Sequence, residues 1–159
     1  DMSELQTVGR DDKIMVDAIV EEVLADLEPL AQEKNIKLIE KCEKIIMTGS
    51  DILIYRLVYN LVENAIKYNH PGGQVTVISY QNEKHIYLSV EDTGNGIPEE
   101  LRERVFDPFF RVDKSRSREL GGVGLGLALV HEIVRVHDGN IAIKSNPAGG
   151  TIFEVVFTH

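Results

Sequence analysis

Asn60, Asn64, Lys67 and Tyr68 are the first residues whose types and spacing could do chemistry. Offsets of four, seven and eight put all four on one face of a helix. Asparagine is a poor mid-helix residue, because its amide competes for backbone hydrogen bonds. Two of them stacked on one face suit a polar wall. There an amide oxygen could ligate magnesium and the lysine ammonium could meet phosphate. A solvated face opposite an apolar stripe is the plain alternative.

Asp92-Thr93-Gly94-Asn95-Gly96-Ile97 follows a strand-like run. A carboxylate at a strand end can accept an exocyclic amine, which is one way to read adenine. Its glycines allow a sharp turn and close approach to a ligand. An ordinary turn with Asx chemistry would have the same residues. Gly121-Gly122-Val123-Gly124-Leu125-Gly126-Leu127 opens a helix. Glycines there make sense where bare N–H groups meet an anion at the positive end of the helix dipole. A flexible hinge is the alternative. A dinucleotide fingerprint fails, because Leu127 stands where its third glycine would be and no strand leads into the turn. No Gly-Lys-Ser/Thr follows any glycine loop, which excludes the Walker pattern.

Phe106-Asp107-Pro108-Phe109-Phe110-Arg111 precedes Lys114, Arg116 and Arg118, and holds three of the five phenylalanines. Residues 102–118 carry six basic and three acidic side chains, a net +3, which leaves -12 elsewhere in a chain of net charge -9. A basic island on an acidic body fits a polyphosphate clamp. An aromatic plug with solvated charges around it is the other reading.

These groups need elements to hold them. Val16, Ile19, Val20, Val23, Leu24, Leu27 and Leu30 or Ala31 predict a helix within 14–34, with Asp17 as a cap and Pro29 as a kink or stop. Short strands are expected at 36–40 and 45–47. Ser50 or Asp51 caps a long helix to about Tyr68, with Leu53, Ile54, Leu57, Val58, Leu61, Ala65 and Ile66 inward. A hairpin follows at 74–80 and 85–91, then a loop from 92 to 122 with a short helix after Pro98. A loop of that length reads as a functional lid. A helix over 123–138 and a hairpin at 140–145 and 151–157 close the chain. Mixed hairpins and helices indicate an α+β two-layer sandwich, not a doubly wound sheet.

The 159 residues suffice for one domain with its own core. The acidic balance argues against nucleic-acid binding. The single cysteine, Cys42, excludes a disulfide framework. No apolar run approaches the roughly 20 residues of a membrane-spanning helix.

In this order the four groups resemble the N box, first glycine box, F box and second glycine box of sensor histidine kinases. The matching stretches are 60–68, 92–97, 106–111 and 122–127, and Gly149-Gly150-Thr151-Ile152-Phe153 fits as well. The resemblance covers about residues 13–157. It implies the Bergerat fold, a mixed, mostly antiparallel sheet backed by three helices, with a mobile ATP lid. Residues 13–159 would be the catalytic and ATP-binding domain, and 1–12 the end of an upstream dimerisation and phosphoacceptor hairpin, or a linker.

The implied cofactors are ATP and magnesium. Asp92 would accept the adenine amine beside Gly94, Gly96 and Ile97, with Thr151 nearby. Asn64 would ligate magnesium with Asn60 beside it, and Lys67 and Tyr68 would meet phosphates or ribose. Arg111 and Lys114 would reach the phosphates, and Gly122, Gly124, Leu125 and Gly126 would cradle them. Related gyrase- and chaperone-type ATPases carry a glutamate base where Asn60 stands, and an amide cannot deprotonate water. Phosphotransfer to a histidine on a separate domain is therefore expected over intrinsic hydrolysis. Of the five histidines, only His131 with Glu132 is similar to a phosphoacceptor pair, and it lacks the residues that should follow. A nucleotide-gated docking module and a self-contained ATPase are the competing functions. The implied partners are the upstream hairpin of the same protein and a response regulator. The implied setting is a cytoplasmic domain, monomeric when isolated, of a membrane-anchored homodimer.

Overall fold

Apolar residues at helical spacing and alternating runs between them sort this chain into two layers. The computed structural model describes residues 12–108, 110 and 126–159. Five strands form one sheet: β2 (Lys37–Cys42), β4 (Gln74–Gln81), β5 (His85–Asp92), β6 (Asn140–Ser145) and β7 (Thr151–Thr158). Their order is β2-β4-β5-β7-β6, with β2 and β4 parallel and every other pair antiparallel. Two short strands, β1 (Asp12–Met15) and β3 (Ile46–Gly49), pair antiparallel as a separate ribbon.

Among the described residues three helices cover one face of the sheet: α1 (Val16–Glu33), α2 (Asp51–Lys67) and α3 (Gly126–Val136). Strand alternation points Val75, Val77, Leu88, Val90, Phe153 and Val155 into the core. Leu27, Leu57, Leu61, Val130 and Ile133 meet them from the helices. The α2 helix touches both α1 and α3 and lies on β4 and β5, so its flanks are fixed by both neighbours. The Tyr55 hydroxyl also donates to Asp26, tying α2 to α1. This is the expected α+β sandwich.

Several local expectations change. Asp17 does not cap α1: Met15 holds that position, and the Asp17 carboxylate instead accepts from the Ile45 N–H at 3.3 Å. Pro29 lies inside α1 without ending it, and the helix runs on to Glu33. Asn35 then turns the chain in the left-handed region. The helix expected after Pro98 is two 3₁₀ turns, Glu99–Leu101 and Arg104–Phe106. Of the loop read as a lid, residues 109 and 111–122 lie outside the described residues, as does the start of the expected helix at 123.

Ser50 is the N-cap of α2: its hydroxyl accepts from the Leu53 N–H at 3.3 Å. Its own N–H donates to His137 Nε2 at 3.1 Å, so the end of α3 holds the start of α2. That cap sets the phase of every residue that follows on the helix.

Candidate functional site

With its phase fixed, α2 buries Leu57, Leu61, Ala65 and Ile66 and turns Asn60, Asn64, Lys67 and Tyr68 to a half-buried flank. Asn60 Nδ2 donates to the Arg56 carbonyl at 2.8 Å, which commits its donor and leaves Oδ1 on the side of Gly126. A β-carbon on Gly126 would stand 3.2 Å from that Oδ1, so Asn60 and the first described residue of α3 face one another. The Asn64 amide makes no hydrogen bond among the described residues. Lys67 sits 3.8 Å from Glu63, a half-buried pair at long range that a stronger anion can displace.

Asp92 ends β5 and is 7% exposed. Its Oδ1 accepts two backbone N–H groups, Gly94 at 2.9 Å and Thr151 at 3.2 Å. Oδ2 accepts nothing from the described residues. Burial pushes the carboxyl above the usual 3.8, opposed by those two N–H groups and by the nearby His70. A buried carboxylate with one oxygen locked and one vacant is a directional acceptor.

Close backbone approach builds the walls around it. Gly150 has φ +101°, and a β-carbon there would lie 2.1 Å from the Asp92 carbonyl oxygen. A β-carbon at Gly94 would lie 2.4 Å from the Tyr68 carbonyl oxygen, so the end of α2 abuts the loop after β5. Gly96 turns with φ +78°, and Ile97 then packs against the core. Asn146 Nδ2 donates to the Asp92 carbonyl at 2.8 Å, tying in the β6–β7 turn.

The structure thus gathers Tyr68, Asp92, Gly94, Gly96 and Thr151 in one place and sets Asn60 against Gly126 along the adjoining flank. Arg111, Lys114, Gly122, Gly124 and Leu125 lie outside the described residues. Among the described residues no three His, Cys, Asp or Glu side chains cluster as a metal site would need. His131 is exposed, but its ring packs on Phe106 at 5.3 Å, and Phe106 in turn meets the edge of Phe153 at 6.4 Å. Glu132 bonds to Arg135 rather than to His131.

Sequence reasoning passed over Asn69, Thr93 and Asn146. Asn69 is 5% exposed. It donates to the Gln74 carbonyl at 3.0 Å and accepts from the His70 N–H at 2.8 Å and the Thr93 hydroxyl at 3.2 Å. Asn69 lies just before Pro71-Gly72-Gly73, and Asn146 just before Pro147 and Gly149-Gly150, both runs of ordinary turn-forming residues. Their Asx chemistry was visible, but the partners they hold are distant in sequence.

The family profile described as histidine kinase-, DNA gyrase B- and HSP90-like ATPase matches residues 49–159. The adaptive-response sensory kinase SasA of Crocosphaera subtropica is 36% identical over 144 residues, covering 89% of this chain and 37% of its own length. The chain therefore spans little more than a third of that curated relative. Among solved structures, the mycobacterial sensor histidine kinase MprB superposes with a TM-score of 0.80 at 29% identity, over 93% of this chain and 97% of that one. Histidine kinase ThkA, solved in complex with the response regulator protein TrrA, superposes with a TM-score of 0.77 at 25% identity, over 92% of this chain and 41% of that one. No helix among the described residues is long and apolar enough to cross a membrane.

Proposed function

We propose a function from one premise: the chain belongs to the histidine kinase-, DNA gyrase B- and HSP90-like ATPase family, as the catalytic and ATP-binding domain of a sensor histidine kinase. On this reading it binds ATP with magnesium and delivers the γ-phosphoryl group to a histidine on a separate helical hairpin of the same protein. A response regulator is the next acceptor. The reading places the domain in the cytoplasm, where ATP is, within a longer, membrane-anchored homodimer.

The observation that carries the reading is the Asp92 carboxylate. Two backbone N–H groups fix Oδ1, which aims the vacant Oδ2 at the exocyclic amine of adenine. Thr151 sits beside it. Ile97 offers the apolar contact for the base. Lys67 and Tyr68 meet phosphate or ribose, with Glu63 releasing Lys67 to the anion.

The metal fits the residues present. Among the described residues Asn64 has an uncommitted amide, and Asn60 an uncommitted Oδ1 once its Nδ2 is bound to Arg56. Hard amide oxygens of this kind suit magnesium completed by phosphate and water. When bound, the ion neutralises charge on the phosphates. The protein's own work is to position the nucleotide and exclude a hydrolytic base. Asn60 cannot deprotonate water, and Glu63, one position from Asn64 on the helix, points away from the Asn60–Asn64 face. Arg111, Lys114, Gly122, Gly124, Leu125 and Gly126 complete the phosphate end on this reading.

Asp92→Asn tests it. The amide keeps an oxygen for Gly94 and Thr151 but presents N–H donors to the adenine amine. Magnesium-ATP affinity should fall at least tenfold, roughly the cost of one lost hydrogen bond to a charged group. Unchanged affinity would overturn the adenine assignment. Labelled ATP mixed with the domain and its upstream hairpin should then yield phosphohistidine. Steady phosphate release by the domain alone would count instead for an intrinsic ATPase.

A further inference from the structure

Arg102 lies between the two 3₁₀ turns, half-buried and without a carboxylate partner among the described residues. Its guanidinium is spent on neutral acceptors. Nε donates to the Ile97 carbonyl at 3.2 Å, Nη2 to Ser145 Oγ at 2.7 Å, and Nη1 reaches the Ile143 carbonyl at 3.5 Å. The acceptors belong to two different walls. Ile97 ends the loop that starts at Asp92. Ser145 ends β6 and precedes Asn146, whose amide holds the Asp92 carbonyl at 2.8 Å. The two walls also meet where a β-carbon on Gly96 would stand 3.4 Å from the Gly150 carbonyl oxygen. A planar fork with five donors can bridge such acceptors at fixed angles, and a lysine cannot.

We infer that Arg102 is a positioning residue for the base end of the nucleotide: it locks the loop after Asp92 to the β6–β7 turn, and so sets the adenine selectivity of the site. The inference rests on the reading of Asp92 as the adenine acceptor. The effect should be confined to the base. Adenosine and ATP depend on the spacing of Asp92, Ile97 and Thr151, whereas inorganic tripolyphosphate does not.

The test uses the whole chain, with binding measured calorimetrically for magnesium-ATP, magnesium-GTP, adenosine and magnesium-tripolyphosphate. Arg102→Ala should weaken ATP and adenosine about tenfold, the scale of one lost hydrogen bond to a charged group, and narrow the ATP-over-GTP preference. Tripolyphosphate should change by less than about twofold. Guanidinium at tens of millimolar should restore adenosine affinity to Arg102→Ala and leave wild type unaffected. Unchanged ATP affinity would overturn the inference, as would equal losses for adenosine and tripolyphosphate without guanidinium rescue. If Arg102→Ala fails to fold, Arg102→Lys should show the same split between base and phosphate, and an even loss would overturn the inference. Asp92→Asn measured in parallel separates the failures. If it binds ATP like wild type, the adenine reading falls. If it loses ATP while Arg102→Ala does not, only the positioning role falls.

Discussion

Gly150 and Asp92 are packed backbone to backbone: a β-carbon on Gly150 would stand 2.1 Å from the Asp92 carbonyl oxygen and 2.7 Å from its Oδ1. The contact holds the start of β7 so close that the Thr151 N–H reaches the same Oδ1 at 3.2 Å. A steric fact about a glycine thus becomes an electrostatic fact about a carboxylate.

Gly150→Ala should therefore act on both. The residue sits at φ +101°, where a side chain is strained whatever the space, and the β-carbon has no room. Loss of about 3 kcal/mol of stability is expected, from strain plus clash. Chemical denaturation measures it. Nucleotide affinity should fall with it, because the Thr151 N–H is pushed away from Asp92. Gly149→Ala is the control. It shares the positive φ, +94°, but has nothing within 4 Å, so strain alone should leave Asp92 and the affinity in place.

The pH dependence of Asp92 carries opposite signs for stability and for binding. Burial raises its folded-state pKa above 3.8. Between 3.8 and the raised value the folded chain holds a proton that the unfolded chain has released. This group's contribution to stability therefore falls as pH rises through that window, then levels off. ATP affinity should rise through the same window, because ionised Oδ2 accepts the amine and a protonated one does not. Thermal unfolding of wild type and Asp92→Asn across acid pH should show the component in wild type alone. The variant should be at least as stable at neutral pH while binding ATP poorly.

How much of this was legible in the residues depends on range. The α2 helix and its Ser50 cap were readable because apolar spacing and capping are local, and the four boxes were readable because their order is linear. The two-stranded ribbon of β1 with β3 was not, since its pairs join residues such as Ile14 and Met47 across the whole of α1. Asp17 was misread as a cap because its actual partner, the Ile45 N–H, lies 28 residues away. Pro29 was expected as a kink or a stop, and the stop did not occur because propensity says nothing of the packing that carries α1 past it. In the site, Asp92 was legible as a residue type. The locking of one oxygen by Gly94 and Thr151 was not, because Thr151 is 59 residues distant.

Asn69 gives a third expectation. It joins the end of α2 to the start of β4 and to Thr93, next to Asp92. Asn69→Asp keeps the acceptor but replaces the donor toward the Gln74 carbonyl with a second oxygen, and buries a charge. About 2–3 kcal/mol of stability should be lost at neutral pH, the cost of an unsatisfied buried group. Protonating the new carboxyl restores a donor, so the deficit should shrink as pH falls. Denaturation of the variant at pH values above and below the carboxylate range reads this directly.

The pairing of Asn60 with Gly126 sets two effects against each other. Alanine in place of a helical glycine normally stabilises by about 0.5–1 kcal/mol. At Gly126 the new β-carbon would stand 3.2 Å from Asn60 Oδ1, tighter than ordinary van der Waals contact. That oxygen cannot simply rotate away, because the Asn60 amide is anchored to Arg56 at 2.8 Å. Gly126→Ala alone should therefore gain little or lose stability, whereas in an Asn60→Ser background it should recover the full alanine benefit. The double-mutant cycle should give a coupling of about 0.5–1.5 kcal/mol. Magnesium-ATP affinity should not follow stability. The double variant has lost the Asn60 carbonyl, so it should be at least as stable as wild type yet bind magnesium-ATP more weakly. A double variant that regained both would show that Asn60 only packs against the start of α3 and takes no part in holding the nucleotide.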